Sequence, residues 1–79
     1  MAVVRLFASA REAAGTSRDE IDGATVGDVL RAASVRYGEG FAAVLARSRV
    51  WLNGSPTTNS APVTQRDEVA VLPPVSGGS

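Results

Sequence analysis

The sequence predicts an α+β domain: a mixed sheet of about four to five strands, one main helix packed on one face, and a short second helix. Three observations lead there. Apolar, β-branched stretches of strand length open the chain at residues 2–8 and return at 50–52 and 68–72. Between them, a capped stretch beginning at Thr25 carries apolar residues at helical spacing. The 79 residues suffice for one small core and are too few for two.

Ala2-Val3-Val4-Arg5-Leu6-Phe7-Ala8 reads as the first strand, running into small residues. Residues 9–14 favour a helical turn, and Gly15 suits the left-handed position that closes it. Residues 17–21 return as a second strand, and Asp22-Gly23 signals a turn. Thr25 then caps the main helix with Asp28 as its capping-box partner. Val26, Val29, Leu30, Ala33 and Tyr37 form its buried stripe, while Arg31 and Arg36 point to solvent. Gly38 and Gly40 stop it, and residues 41–46 form the short second helix, with Phe41 and Leu45 as core cover.

Val50-Trp51-Leu52 is a strand entering a tight Asn53-Gly54 turn, since both turn residues accept the positive φ that hairpins need. Residues 55–64 are turn-rich and need not be regular, with Gly54-Ser55-Pro56 read as loop. In the final strand, residues 68–72, Val69 and Val71 alternate with outward positions, and Pro73-Pro74 ends the pairing because proline cannot donate a ladder hydrogen bond. The order strand, strand, helix, short helix, strand, strand is that of a β-grasp domain, with the first and last strands side by side and parallel. Residues 1–72 form this domain, and 73–79 a flexible tail carrying the diglycine Gly77-Gly78.

Composition removes most function classes. Eight arginines balance eight carboxylates, so no strong field favours nucleic acid or an anionic membrane. There is no apolar run of about 18 residues and no leader-like start, so a cytoplasmic protein is expected. Histidine, cysteine and lysine are all missing, which removes the usual neutral-pH base, the thiol nucleophile, the Schiff-base amine and the soft metal ligands. Self-contained catalysis is not expected, and neither is a bound cofactor or metal. Asp19, Glu20 and Asp22 beside one turn, and Asp67 and Glu68 beside another, read as solvated charges. Arg47 and Arg49 read as a solvated basic pair. Alternation along the strands turns Phe7 and Leu72 outward, and these two are the expected partner-docking patch.

Leu6-Phe7-Ala8, Arg11-Glu12, Gly15, Asn53-Gly54 and above all the run from Asp67 through Pro73-Pro74-Val75-Ser76-Gly77-Gly78 resemble the small subunit of molybdopterin synthase, over nearly the whole chain. That resemblance implies a ubiquitin-like sulfur carrier with no catalysis of its own. A ubiquitin-activating-like adenylyltransferase uses ATP to convert the carboxylate of Gly78 to an acyl-adenylate, and a sulfur donor turns this into a thiocarboxylate. The carrier then docks on the large synthase subunit in a heterotetramer, and two carriers supply the dithiolene sulfurs of molybdopterin. A carrier for thiamine or cysteine synthesis would share the fold, and so would a ubiquitin-like modifier joined to other proteins through Gly78.

The tail's chemistry can also be argued from its residues. A terminal carboxylate, with a reference pKa of about 3.5, is anionic at neutral pH and resists nucleophiles until a phosphoryl group activates it. Glycine passes into a partner's buried site without a side chain to clash, and the prolines stiffen the root of the arm. Extended, Pro73, Pro74, Val75, Ser76, Gly77 and Gly78 reach roughly 20 Å at about 3.3 Å each. Ser79 departs from the family pattern by placing the Gly78 carbonyl inside a peptide bond. Either a peptidase removes Ser79 or it is left over from expression, and until it is gone Gly78 is expected to be blocked.

Overall fold

Alternating apolar residues build the centre of the sheet from the strands that lie farthest apart in sequence. The computed structural model describes residues 1–74. In chain order its elements are β1 (Ala2–Leu6), α1 (Ala8–Ala14), β2 (Arg18–Ile21), α2 (Val26–Tyr37), α3 (Glu39–Leu45), β3 (Arg49–Leu52), β4 (Ser55–Pro56) and β5 (Glu68–Leu72). β1 and β5 run parallel, with Val4 opposite Val69 and Leu6 opposite Val71, and all four side chains are buried. β2 adds antiparallel to β1 and β3 antiparallel to β5, giving a five-stranded mixed sheet in the order β2-β1-β5-β3-β4. A parallel central pair needs a long crossover, which the intervening helices supply. This is the expected β-grasp architecture.

One apolar cluster fills the space between sheet and helices, and among the described residues no polar side chain is buried in it. α2 contributes Val26, Val29, Leu30 and Ala33, the predicted stripe. Its Asp28 amide donates to Thr25 Oγ1 at 3.2 Å, the expected cap. Gly38, at φ 98°, turns the chain from α2 into α3, which drives Phe41 wholly into the core. Tyr37 meets Phe41 edge-on at 5.1 Å between ring centroids.

Several expectations need correction. The described residues form three helices, because residues 8–14 form more than a turn. β1 ends at Leu6, so Phe7 caps α1 instead of extending the strand, and its carbonyl accepts from the amides of Ala10 and Arg11 at 3.0 and 3.3 Å. Ser55 and Pro56, read as loop, form the short edge strand β4 opposite Trp51 and Leu52, where an outer edge tolerates proline's missing donor. Residues 57–64 also have definite work. The carbonyls of Ala61 and Asn59 accept from the amides of Val26 and Gly27, satisfying helix-terminal donors that α2 cannot satisfy itself. The hairpin turn is as expected: Asn53 and Gly54 sit at φ 51° and 84°.

Candidate functional site

The helices cover one face of the sheet, and the strand period decides what the other face offers. Val50 and Leu52 pack toward the core, so Arg49 and Trp51 project from the opposite side. By the same alternation Val69 and Val71 are buried, and Ala70 and Leu72 are outward and half-buried. Register places Trp51 beside Ala70 and Arg49 beside Leu72. Beyond Leu72 the chain leaves the sheet through Pro73 and Pro74, and there the surface is concave. A depression of about 510 Å³ is lined by Arg47, Arg49, Trp51, Leu72, Pro73 and Pro74. A smaller one of about 180 Å³, bordered by Ser9, Val44 and Arg47, lies against the same two prolines. The proline pair therefore borders two hollows, with Arg47 beside both.

Phe7 lies one residue past Leu6, as Leu72 lies one past its register partner Val71. Both therefore sit at the end of the sheet from which the tail leaves. Phe7 is 40% exposed, with the Arg5 guanidinium 5.9 Å from its ring centroid. It does not line the larger hollow, whose wall at Leu72 is completed by Arg49, its register partner, and by Trp51. Sequence reading passed over Trp51. The signal was available, because it stands between two inward residues on a strand whose outer face carries no helix. Of the tail positions, Pro73 and Pro74 are placed as described, while Val75, Ser76, Gly77, Gly78 and Ser79 lie outside the described residues.

Two of the carboxylates read as turn charges, Asp19 and Asp67, are structural partners, while Glu20, Asp22 and Glu68 are exposed. Asp19 lies within β2, where it accepts from the Tyr37 hydroxyl and from Arg36 at 2.9 Å, tying the strand to the end of α2. The hydroxyl first and the guanidinium second hold its carboxyl below the usual range. Tyr37 is in turn pushed up to about 12, chiefly by burial and then by the adjacent carboxylate. Asp67 accepts from the Asn53 side chain at 2.9 Å and from the Thr64 amide at 2.7 Å, and both bonds lower its pKa. Asn53 also accepts from the Glu68 amide at 2.8 Å, so this cluster pins the hairpin turn to the start of β5. Among the described residues no group of three or more acidic residues could hold a metal ion, and no helix is long and apolar enough to cross a membrane.

Comparison with known proteins gives a consistent picture. The sequence model of the ThiS family matches residues 4–78. Small archaeal modifier protein 1 from Haloferax volcanii is 32% identical, with 96% of this chain and 97% of that chain aligned at a TM-score of 0.76. Its counterpart from Methanosarcina acetivorans is 29% identical over 98% and 95% of the two chains, with a TM-score of 0.86. A putative molybdopterin converting factor, subunit 1, from Pyrococcus furiosus is 28% identical over 94% and 97%, with a TM-score of 0.82. Comparison with curated protein sequences gives no match.

Proposed function

The chain belongs to the ThiS family of small ubiquitin-like carriers, and from that premise we propose that it carries sulfur on the carboxyl group of Gly78 for molybdopterin synthesis. The observation that carries this reading is the family match, which runs through the diglycine to residue 78 and so includes the residues that follow β5. The likeness to a molybdopterin converting factor subunit supports the choice of pathway.

Chemically, an oxygen of the Gly78 carboxylate attacks the α-phosphorus of ATP in the activating enzyme and releases pyrophosphate. Sulfide released by a donor then attacks the acyl carbon, and AMP departs with the former carboxylate oxygen. What remains is a thiocarboxylate. The chain supplies no base or side-chain nucleophile to either step, having no His, Cys or Lys. Its contribution is delivery: a rigid domain to dock, prolines that limit the entropy lost on insertion, and two glycines thin enough to enter a closed site. Loaded, it is the sulfur-donating, non-catalytic partner of the large synthase subunit. If Ser79 is native it must be removed first, because an amide carbonyl cannot be adenylated in this way.

A second reading has its own support, since two of the similar structures are small archaeal modifier proteins. In that case the same acyl-adenylate ends in an isopeptide bond to a lysine of another protein. Mixing the loaded chain with the large synthase subunit and measuring complex mass by light scattering, alongside a search for Gly-Gly remnants on cellular lysines, separates the two. A heterotetramer without remnants supports the carrier; remnants without a complex overturn it.

A further inference from the structure

We propose that Arg47, Arg49 and Trp51 receive an acidic segment, carboxylates flanking an apolar side chain, that the activating enzyme presents at the rim of its tail-accepting site. This rests on the carrier reading above, which brings the residues after Leu72 into that enzyme.

The charge distribution singles out this spot. Four of the eight arginines are matched within the domain: Arg5 with Glu68, Arg18 with Glu20, Arg31 with Asp28, and Arg36 with Asp19. Arg5 and Arg18, the other cations of the outer sheet face, are thus already offset by their neighbours. Arg47 and Arg49 make no ion pair among the described residues, yet both border the hollow at the root of the tail. Arg11 and Arg66 also make no ion pair among the described residues, but only Arg47 and Arg49 of these four share one hollow, the one where the arm departs.

The lining chemistry specifies the occupant. Two guanidiniums offer planar, paired donors that match carboxylates, and the walls between them are indole, leucine and proline. A purely apolar occupant would strip water from both cations without replacing it, and a basic one would be repelled. A segment with acidic flanks and an apolar centre satisfies both kinds of wall. Arg47 borders both hollows that adjoin Pro73-Pro74 and can hold such a segment in either.

The test is ATP–pyrophosphate exchange by the activating enzyme, with the chain trimmed to Gly78 as substrate. Arg47→Glu/Arg49→Glu should raise KM about tenfold or more at roughly 50 mM salt, while kcat stays within about twofold. Screening should shrink the gap below about threefold at roughly 500 mM salt. Arg66→Glu reverses one arginine at the far end of β5, half the charge change of the double variant, and its KM should stay within about twofold. Trp51 is the only tryptophan, so its fluorescence reports occupation of the hollow directly and should change on complex formation. The milder Arg47→Gln/Arg49→Gln should raise KM about threefold and guards against misfolding of the reversal variant.

Equal KM values for wild type and both variants overturn the proposal, as does an unchanged Trp51 signal in the complex. A salt-dependent dimer of the wild type that the reversal abolishes means that a second copy fills the hollow, which also overturns it. A trimmed wild type that is never activated, at any concentration, overturns the carrier reading and this inference together.

Discussion

Replacing Phe7 by alanine tests docking at the tail end of the sheet, and its size can be worked from the structure. Phe7 is 40% exposed, which for a side chain of about 200 Å² leaves roughly 80 Å² for a partner to cover. At about 25 cal/mol per Å² that is about 2 kcal/mol, or roughly 30-fold in Kd as a ceiling. Imperfect conversion of area to affinity lowers the expected loss to about 5- to 30-fold. The buried remainder, roughly 120 Å², sets a ceiling of about 3 kcal/mol on the cost to the fold. A domain of this size, with about 4–12 kcal/mol in hand, should stay folded but melt earlier. The assay is calorimetric titration against the activating enzyme, run below the variant's melting range with circular dichroism as the check on folding. Val35→Ala is the control, since Val35 is 82% exposed on the solvent side of α2. Affinity within about twofold of wild type for folded Phe7→Ala would refute a docking role for this residue.

Three further substitutions probe the frame that holds the site. Phe41→Ala empties the largest fully buried position and the edge-on contact with Tyr37, and should cost about 3–5 kcal/mol in urea unfolding followed by Trp51 fluorescence. A loss under about 1.5 kcal/mol would mean that the core closes around the gap. Asp19 has a folded pKa below the ordinary 3.8, so its contribution is fully present above that value and is lost as pH falls through the folded one. Asp19→Asn should therefore cost about 1 kcal/mol at neutral pH, its partial exposure discounting the usual value for charged hydrogen bonds. In acid the two proteins should converge, and a gap that stays constant from pH 7 into acid would contradict the ion-pair account. Ala8, at φ 50°, occupies the left-handed region that glycine enters freely, and Ala8→Gly should raise stability by about 0.5–1 kcal/mol. A lowered urea midpoint would show that the corner is not strained.

Much of the frame is legible because local rules and the global fold agree. The Val69–Val71 alternation, the Thr25 cap and the Asn53-Gly54 turn are each decided within a few residues, and each is found where the pattern puts it. What was misread depends on distant partners. Asp19 looks like a turn charge until Tyr37, 18 positions on, supplies a hydroxyl to its carboxylate. Ser55 and Pro56 have little strand propensity and pair only because Trp51 and Leu52 offer an edge. The same holds for the surface at the tail. Arg47 and Arg49 look like any solvated pair in sequence, and become neighbours of Leu72, Pro73 and Pro74 only through the antiparallel register of β3 on β5. The proposed reactive end rests on a motif of a different kind, the diglycine Gly77-Gly78, which is read within two residues of sequence.

The central claim is that the carboxyl group of Gly78 is the reactive group of this protein. It is tested most directly by intact-mass measurement of two forms, one trimmed to Gly78 and one retaining Ser79, after incubation with activating enzyme, ATP and a sulfur donor. The trimmed form should gain one sulfur in place of one oxygen, and the form with Ser79 should be unchanged. Exchange of oxygen for sulfur with Ser79 still attached, or none in a trimmed chain whose partner enzyme activates other carriers, would contradict it.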